Sequence, residues 1–320
     1  MTELRYNHNI INVTKTAIIT GGMRGIGLAY CKALLDRNYC IAIFDLIIDN
    51  DIIAELRNTY GNIIEGYEVD VSNKEHFIIT YEIAKCDLAH GINHYESDVV
   101  IDVLVLNAGI YGFLFEKSEE IIQTNLLHAI NGTEMLLKDV TKGLATPAGK
   151  DVLVAITTST NGIIPADSDF APVYVASKFA LNGFVYAMKP FAERFSVRVN
   201  AIAPVSVRTP MVESLGINDD TVAYLNDENR GGIMEPHIVA EGLLKLIDDK
   251  SIAGEIITIH PNNDKGGRRE GLDPSGRFDY LGLWSESKSA AVKTYVNQAV
   301  QAVQDDPSKA LGWSKVKYSR

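Results

Sequence analysis

Apolar stretches of strand length recur along the chain at 16–20, 40–45 (CIAIFD), 63–69 (IIEGYEV), 101–106 (IDVLVL), 151–157 (DVLVAIT), 197–203 (VRVNAIA) and 255–259 (EIITI). They are rich in β-branched residues and carry few polar interruptions, the character of strands buried on both faces. Between them, apolar positions at three-to-four spacing predict helices near 28–37, 73–86, 118–138, 173–194 and 236–248. Strand alternating with helix predicts an α/β fold, a doubly wound, mostly parallel sheet with helices on both faces. Ligands of such sheets bind beyond the carboxyl ends of the strands, so motifs at strand ends gain weight.

Three stretches leave this rhythm. Residues 88–100 (LAHGINHYESDVV) read as a polar insertion, and 204–235 as a long loop with a little helix. Residues 261–320 open on a loop rich in glycine and charge, NNDKGGRREGLDPSGRFD. They then show one helical pattern, with Val292, Tyr295, Val296, Ala299 and Val303 on one face, ending before Pro307. The expected organisation is a single domain over 1–260 and a C-terminal extension over 261–320 containing one helix.

Charge and composition narrow the function. The 30 basic and 41 acidic residues of this 320-residue chain give a net charge of −11, without a basic stripe. Nucleic acid and anionic membrane surfaces are therefore not expected partners. The N-terminal MTELRYNHNIINVTK lacks the apolar core of a signal peptide, no apolar run reaches membrane-spanning length, and the terminal YSR is not a peroxisomal signal, so a cytoplasmic protein is expected. Cys31, Cys40 and Cys86 have no CxxC spacing and fall in or beside apolar segments, which fits reduced core thiols and no metal site.

Residues 20–27, TGGMRGIG, lie between the first strand and first helix. Glycine there permits positive φ and close approach of a diphosphate, while the N–H groups of the helix start offer donors to an anion. Gly21, Arg24, Gly25, Ile26 and Gly27 are the candidate contacts. Taken alone the pattern is also that of a tight turn. Asp45 closes the second strand, where a carboxylate can accept both ribose hydroxyls of an adenosine and repel a 2′-phosphate. Arg24 would attract that phosphate; Asp45 outweighs it, so NAD is expected over NADP. Asp70 and Val71 follow the third strand, with Asp70 either accepting the adenine amino group or capping the next helix.

In Tyr174-Val175-Ala176-Ser177-Lys178, helical geometry puts Tyr174 and Lys178 one turn apart on one face. A phenol titrates near ~10 in water, too high for a base at neutral pH, and a neighbouring ammonium is expected to lower that value.

These pieces, with Asn107-Ala108-Gly109, Asn125 and the TTST of 157–160, stand in the order and places of the short-chain dehydrogenase/reductase family, which the chain resembles over roughly residues 14–260. The stretch 231–259 is most similar to the NAD-dependent branch that includes hydroxyprostaglandin dehydrogenase, and also to insect-type alcohol dehydrogenases. The resemblance implies a Rossmann-type dinucleotide-binding and catalytic domain. It makes Tyr174 the general acid or base, with Lys178 lowering its pKa and holding the nicotinamide ribose. It makes Ser159 the hydrogen-bond donor to the substrate oxygen and Asn125 the holder of a water linking Lys178 to solvent. It places Asn107, Ala108 and Gly109 along the adenosine side, Thr209 at the carboxamide, and Val207 as a backbone contact. A homodimer or homotetramer through helices 118–138 and 173–194 is implied as well.

Three positions depart from the family's pattern. Leu106 replaces an asparagine, Val205 follows Pro204 where glycine is usual, and the interval from Ser159 to Tyr174 is two residues longer than is common. The expected function is an NAD-dependent oxidoreductase interconverting a secondary alcohol and a ketone. Ile163, Ile164, Phe170, Val205, Met211 and Leu215 suit an apolar small-molecule substrate. The alternatives are a non-redox enzyme of the same fold (dehydratase, epimerase or cyclase), or a nucleotide-sensing or scaffold protein.

Overall fold

The computed structural model describes residues 15–61, 63–91, 100–141, 151–163, 171–214 and 233–260, together with the backbone of 278–280. Its strands are β1 (Lys15–Thr20), β2 (Tyr39–Asp45), β3 (Ile64–Glu68), β4 (Val103–Leu106), β5 (Val152–Thr157), β6 (Val197–Pro204), β7 (Ile256–Ile259) and β8 (Phe278–Tyr280). They form one sheet in the order β3-β2-β1-β4-β5-β6-β7-β8. The first seven run parallel, and β8 pairs antiparallel with β7.

The seven strands are those the apolar pattern predicts, because a strand covered on both faces can carry almost nothing polar. β5 and β6 are buried at every position. Side chains alternate between two cores: Ala17 and Ile19 of β1 join Leu34, Ile41, Leu243 and Ile257 on one face, while Ile18 joins Phe44, Phe77, Leu104, Leu136 and Leu181 on the other. Helices α1 (Gly25–Leu35) and α2 (Asn50–Tyr60) contribute to the first core, and α3 (Lys74–Gly91) to the second. Arg198 and Asn200 are the buried polar exceptions in β6, Asn200 donating to the carbonyl of Ile252 and accepting from the N–H of Glu255. The Arg198 guanidinium is held by Asp151 at 2.7 Å and by the carbonyls of Leu246, Asp249 and Ile252.

Several boundaries differ from the sequence pattern. α2 was not among the predicted helices. Asp49 caps it by accepting from the N–H groups of Asp51 and Ile52, and Gly61 ends it at φ 63. The predicted helix over 118–138 is three pieces: α4 (Ser118–Ile121), a π-helical turn (Ile122–Leu127) and α5 (His128–Thr141). The predicted helix over 173–194 breaks at Met188 into α6 (Pro172–Ala187) and α7 (Lys189–Phe195), with Pro190 in the first turn of the second piece. α3 runs on to Gly91, into the stretch read as insertion, and residues 92–99 lie outside the described residues. Past β6, the chain forms a bridge between Val207 and Met234 and the short α8 (Pro210–Glu213) before α9 (Pro236–Asp248). The helix expected near 292–303 lies outside the described residues, and β8 is a strand the sequence pattern did not suggest. Leu106 is fully buried against α5, where a side chain at Gly132 would collide with it. Cys31 and Cys40 are buried and Cys86 half-buried, all three free. Among the described residues, no helix is long and apolar enough to cross a membrane.

Strand order reverses between β1 and β4, opening a crevice beyond their carboxyl ends. The Gly21–Gly27 turn leaves β1 there and the Asn107–Gly109 turn leaves β4.

Candidate functional site

The glycine turn is packed so closely that its sequence has few alternatives. A β-carbon on Gly27 would come within 1.9 Å of the carbonyl oxygen of Gly21, and Gly21 itself sits at φ 65. α1 starts with neither a side-chain cap nor an acidic residue in its first turn, so its leading N–H groups are left for an anion. Asp45 closes the turn from the side: Oδ2 accepts from the N–H of Met23 at 3.0 Å and Oδ1 from the N–H of Leu46 at 2.8 Å. The Arg24 side chain is exposed. Across the crevice Thr209 faces Gly25, where an added β-carbon would lie 3.1 Å from Thr209 Cγ2. Thr209 Oγ1 donates to the carbonyl of Val207.

Asn107 fastens the ends of three strands. Its Nδ2 donates to the carbonyls of Thr20 and Gly21, and its Oδ1 accepts from the hydroxyl of Thr157. The Thr20 hydroxyl in turn accepts from the N–H groups of Asn107 and Ala108, at 2.9 and 3.1 Å. Behind it lies His128, a buried residue that the sequence reading passed over, 3.0 Å from Thr20 Oγ1 through Nε2. Nδ1 stands 2.8 Å from the carbonyl of Thr124, which can only accept, so Nδ1 carries the proton and Nε2 accepts the Thr20 hydroxyl. Burial, with Lys178 adding a smaller effect, lowers the His128 pKa to about 4. Asp70 is exposed and receives the N–H and hydroxyl of Ser72, while Asn73 caps α3. The helix-cap alternative for Asp70 is thereby excluded, and Val71 beside it is buried.

The second half of the site is carried by α6. Tyr174, Lys178 and Asn182 follow at intervals of four on one helix face. Gly162 presses the turn after β5 onto that face, since a β-carbon there would meet the Lys178 backbone at 2.7 Å, and its carbonyl accepts from Asn182. This contact brings the Ser159 side chain to the Tyr174 phenol, where it favours the ionised form. Lys178 is buried and donates to the carbonyl of Thr157 at 2.9 Å, with its nitrogen 5.6 Å from the centre of the Tyr174 ring. Gly109 lies beside both Lys178 and Asn125, with a hypothetical β-carbon 3.7 Å from Lys178 Nζ and 3.3 Å from Asn125 Oδ1.

The electrostatics correct one expectation. Burial pushes the Tyr174 phenol up to about 12, although Ser159 opposes this, and burial draws Lys178 down to about 8. On raising the pH the ammonium is lost before the phenol ionises, so these two groups alone do not produce a phenolate near neutrality.

All four predicted catalytic candidates, and the turns at Gly21–Gly27 and Asn107–Gly109, thus gather around one crevice. Of the predicted apolar lining, Ile163, Val205 and Met211 are half-buried. Ile164, Phe170 and Leu215 lie outside the described residues. Val205, the departure after Pro204, donates its N–H to the carbonyl of Ile259 and packs on the first core. The donor set fits a dinucleotide: an uncapped helix start for a diphosphate, and a carboxylate at the end of β2 for a ribose.

A parallel sheet with this strand order, a glycine turn at the reversal point and a Ser-Tyr-Lys cluster define a nucleotide-dependent oxidoreductase. Residues 15–220 match the family model described as short chain dehydrogenase, and the chain belongs to that family. It is 29% identical over 265 residues to 15-hydroxyprostaglandin dehydrogenase [NAD(+)] of Rattus norvegicus, covering 77% of this chain and 90% of that protein. It is 26% identical over 251 residues to carbonyl reductase family member 4 of Xenopus laevis, covering 77% of this chain and 97% of that one. Among solved structures, 4-hydroxyisoleucine dehydrogenase complexed with NADH shares the fold at a TM-score of 0.65 and 21% identity, covering 79% of this chain and all of that one.

Proposed function

We propose that the protein interconverts a secondary alcohol and a ketone with NAD, Tyr174 passing the proton. The observation that carries this reading is the meeting of Ser159, Tyr174 and Lys178 beside the Asn107–Gly109 turn, which itself packs on Gly21. When bound, oxidised nicotinamide accepts the hydride and brings a positive charge. Tyr174 takes the alcohol proton in one direction and returns it in the other. Its high pKa keeps the phenol in the protonated form from which a ketone oxygen would take the proton, and a positive charge placed beside it eases release of that proton in either direction. Ser159 holds the substrate oxygen and stabilises charge growing on it. Lys178 holds the ribose and keeps its ammonium on the phenol's side of the crevice, while Asn125 supports the water path to Lys178. Asp45 favours NAD over NADP, Arg24 pulling the other way. Gly21, Gly25, Ile26, Gly27, Asn107, Ala108, Gly109, Val207 and Thr209 line the dinucleotide, and Asp70 with Val71 its adenine end.

We also propose a cytoplasmic homodimer or homotetramer joined through α5 and α6. Between those helices Ile130, Leu137, Phe184 and Met188 line an apolar groove. Residues 1–260 form the catalytic domain, and 261–320 an extension that lends β8 to its sheet.

The test is the absorbance of reduced nicotinamide with NAD and a broad panel of secondary alcohols. Turnover that disappears in Tyr174→Phe, with dinucleotide uptake by calorimetry intact, supports the reading. Uptake without turnover on the whole panel moves the assignment to non-redox proton transfer, and no uptake removes both.

A further inference from the structure

Tyr111 follows the turn after β4 and has no place in the roles assigned so far. Its ring centre lies 5.0 Å from that of Tyr174, with the planes at 52°, and Phe113 stands edge-on to it at 5.5 Å. Both distances fall in the range where aromatic pairs attract.

The backbone that carries Tyr111 is fixed by bonds leading back to Tyr174. Asn125 Oδ1 accepts from the N–H of Ile110 at 2.8 Å, and its Nδ2 donates to the carbonyl of Ile110 at 2.9 Å. The side-chain amide thus holds the preceding residue at both polar groups, as a neighbouring strand would. The same Nδ2 donates to Ser177 Oγ at 3.2 Å, and the Ser177 hydroxyl donates to the Tyr174 carbonyl at 2.6 Å. Asn125 sits in the π-helical turn, whose wider winding sets its amide apart from the regular helix that follows. The loop beyond Tyr111 is tight: Leu114 and Lys117 take left-handed φ of 50 and 54. Phe113 and Phe115, 44% and 76% exposed, continue the aromatic run outward.

We propose that Tyr111 is a positioning and specificity residue of this site, its ring setting the tilt of the Tyr174 phenol and forming with Phe113 an apolar shelf for the substrate's carbon skeleton. This rests on the reading of Tyr174 as the proton-transfer group. The shelf favours an alcohol whose carbinol carbon bears a ring or several further carbons, because a short alcohol held at Ser159 and Tyr174 does not reach the second ring. The Tyr174 side chain meets Ser159 from the turn after β5, Lys178 from its own helix and Tyr111 from the loop after β4.

The experiment compares wild type, Tyr111→Phe and Tyr111→Ala by two readouts. In kinetics with 1-phenylethanol and 2-propanol, Tyr111→Ala is expected to lose about tenfold or more in kcat/KM on the aromatic alcohol, chiefly through KM, and under about threefold on the short one. Tyr111→Phe, which keeps the ring, is expected to restore the preference. Equal losses on both alcohols, or none, overturn the specificity role. In carbon-13 spectra of ring-labelled tyrosine, the Tyr174 signal, assigned by its loss in Tyr174→Phe, is expected to move in Tyr111→Ala and stay in Tyr111→Phe. An unmoved signal in Tyr111→Ala overturns the positioning role. If wild type reduces nicotinamide with no alcohol at all, the wider reading fails, while the spectra still decide whether Tyr111 governs the Tyr174 ring.

Discussion

The ammonium of Lys178 donates to the carbonyl of Thr157 at 2.9 Å and so keeps its charge on the strand side of the Tyr174 ring. A buried cation held by one carbonyl costs folding free energy, which is why its pKa falls to about 8. Lys178→Met removes this burden together with the group that the mechanism needs. The variant is expected to unfold at higher temperature in the absence of cofactor, by about 1–2 kcal/mol, and to have lost turnover. A melting temperature at or below wild type would contradict this.

His128 should make stability depend on acidity. Its folded value of about 4 lies below the ordinary 6.5, so the unfolded chain takes up a proton before the native one does. The stability it contributes is complete above pH 6.5 and drains away as pH falls toward 4, amounting to about 3 kcal/mol. A protonated ring would also have two donors, leaving the Thr20 hydroxyl without its acceptor on Nε2. Urea titrations between pH 4 and 7 should show a shallower decline for His128→Gln than for wild type.

Gly27→Ala is expected to destabilise the protein by on the order of 3 kcal/mol, because the new methyl meets the carbonyl oxygen and carbon of Gly21, backbone atoms that cannot rotate aside. Dinucleotide uptake should vanish in calorimetry even under conditions where circular dichroism shows a folded chain. Uptake at wild-type strength would mean that the diphosphate rests elsewhere.

Asp45→Ala removes the acceptor for the N–H groups of Met23 and Leu46 as well as the charge at the end of β2. NAD affinity is expected to fall about tenfold or more, and NADP affinity to fall less or to rise, since the repulsion of a 2′-phosphate disappears while Arg24 remains. Equal losses for both dinucleotides would assign Asp45 to the turn alone.

Much of this site could be read along the chain because its parts are local. Gly27 meets Gly21 within one turn, and Tyr174 and Lys178 are one helical turn apart, so spacing announces them, although the Asn107 and Ala108 that press on Gly21 come from the distant turn after β4. Thr20, Tyr111 and His128 carry no such mark. Their roles arise only when β4 and the π-helical turn close on β1 and α6, although His128 does stand three positions after Asn125 in NLLHA. α2 went unread even though Asp49 and Gly61 are good end signals, because only Ile53 and Leu56 of its stripe are buried. The break at Met188 had its signal in Lys189-Pro190. The state of the Tyr174 proton was hidden for another reason, since burial depends on everything packed around the phenol and outweighs the one charge that the sequence places next to it.

The antiparallel pairing of β8 with β7 gives the far end of the chain a protective duty. Ile256, Ile257 and Ile259 are buried, and three residues from beyond 260 stand along their open side. Proteolytic clipping in the intervening stretch would free that row of amides and carbonyls beside an isoleucine-rich strand, the kind of unguarded border on which other chains can stack into insoluble ribbons.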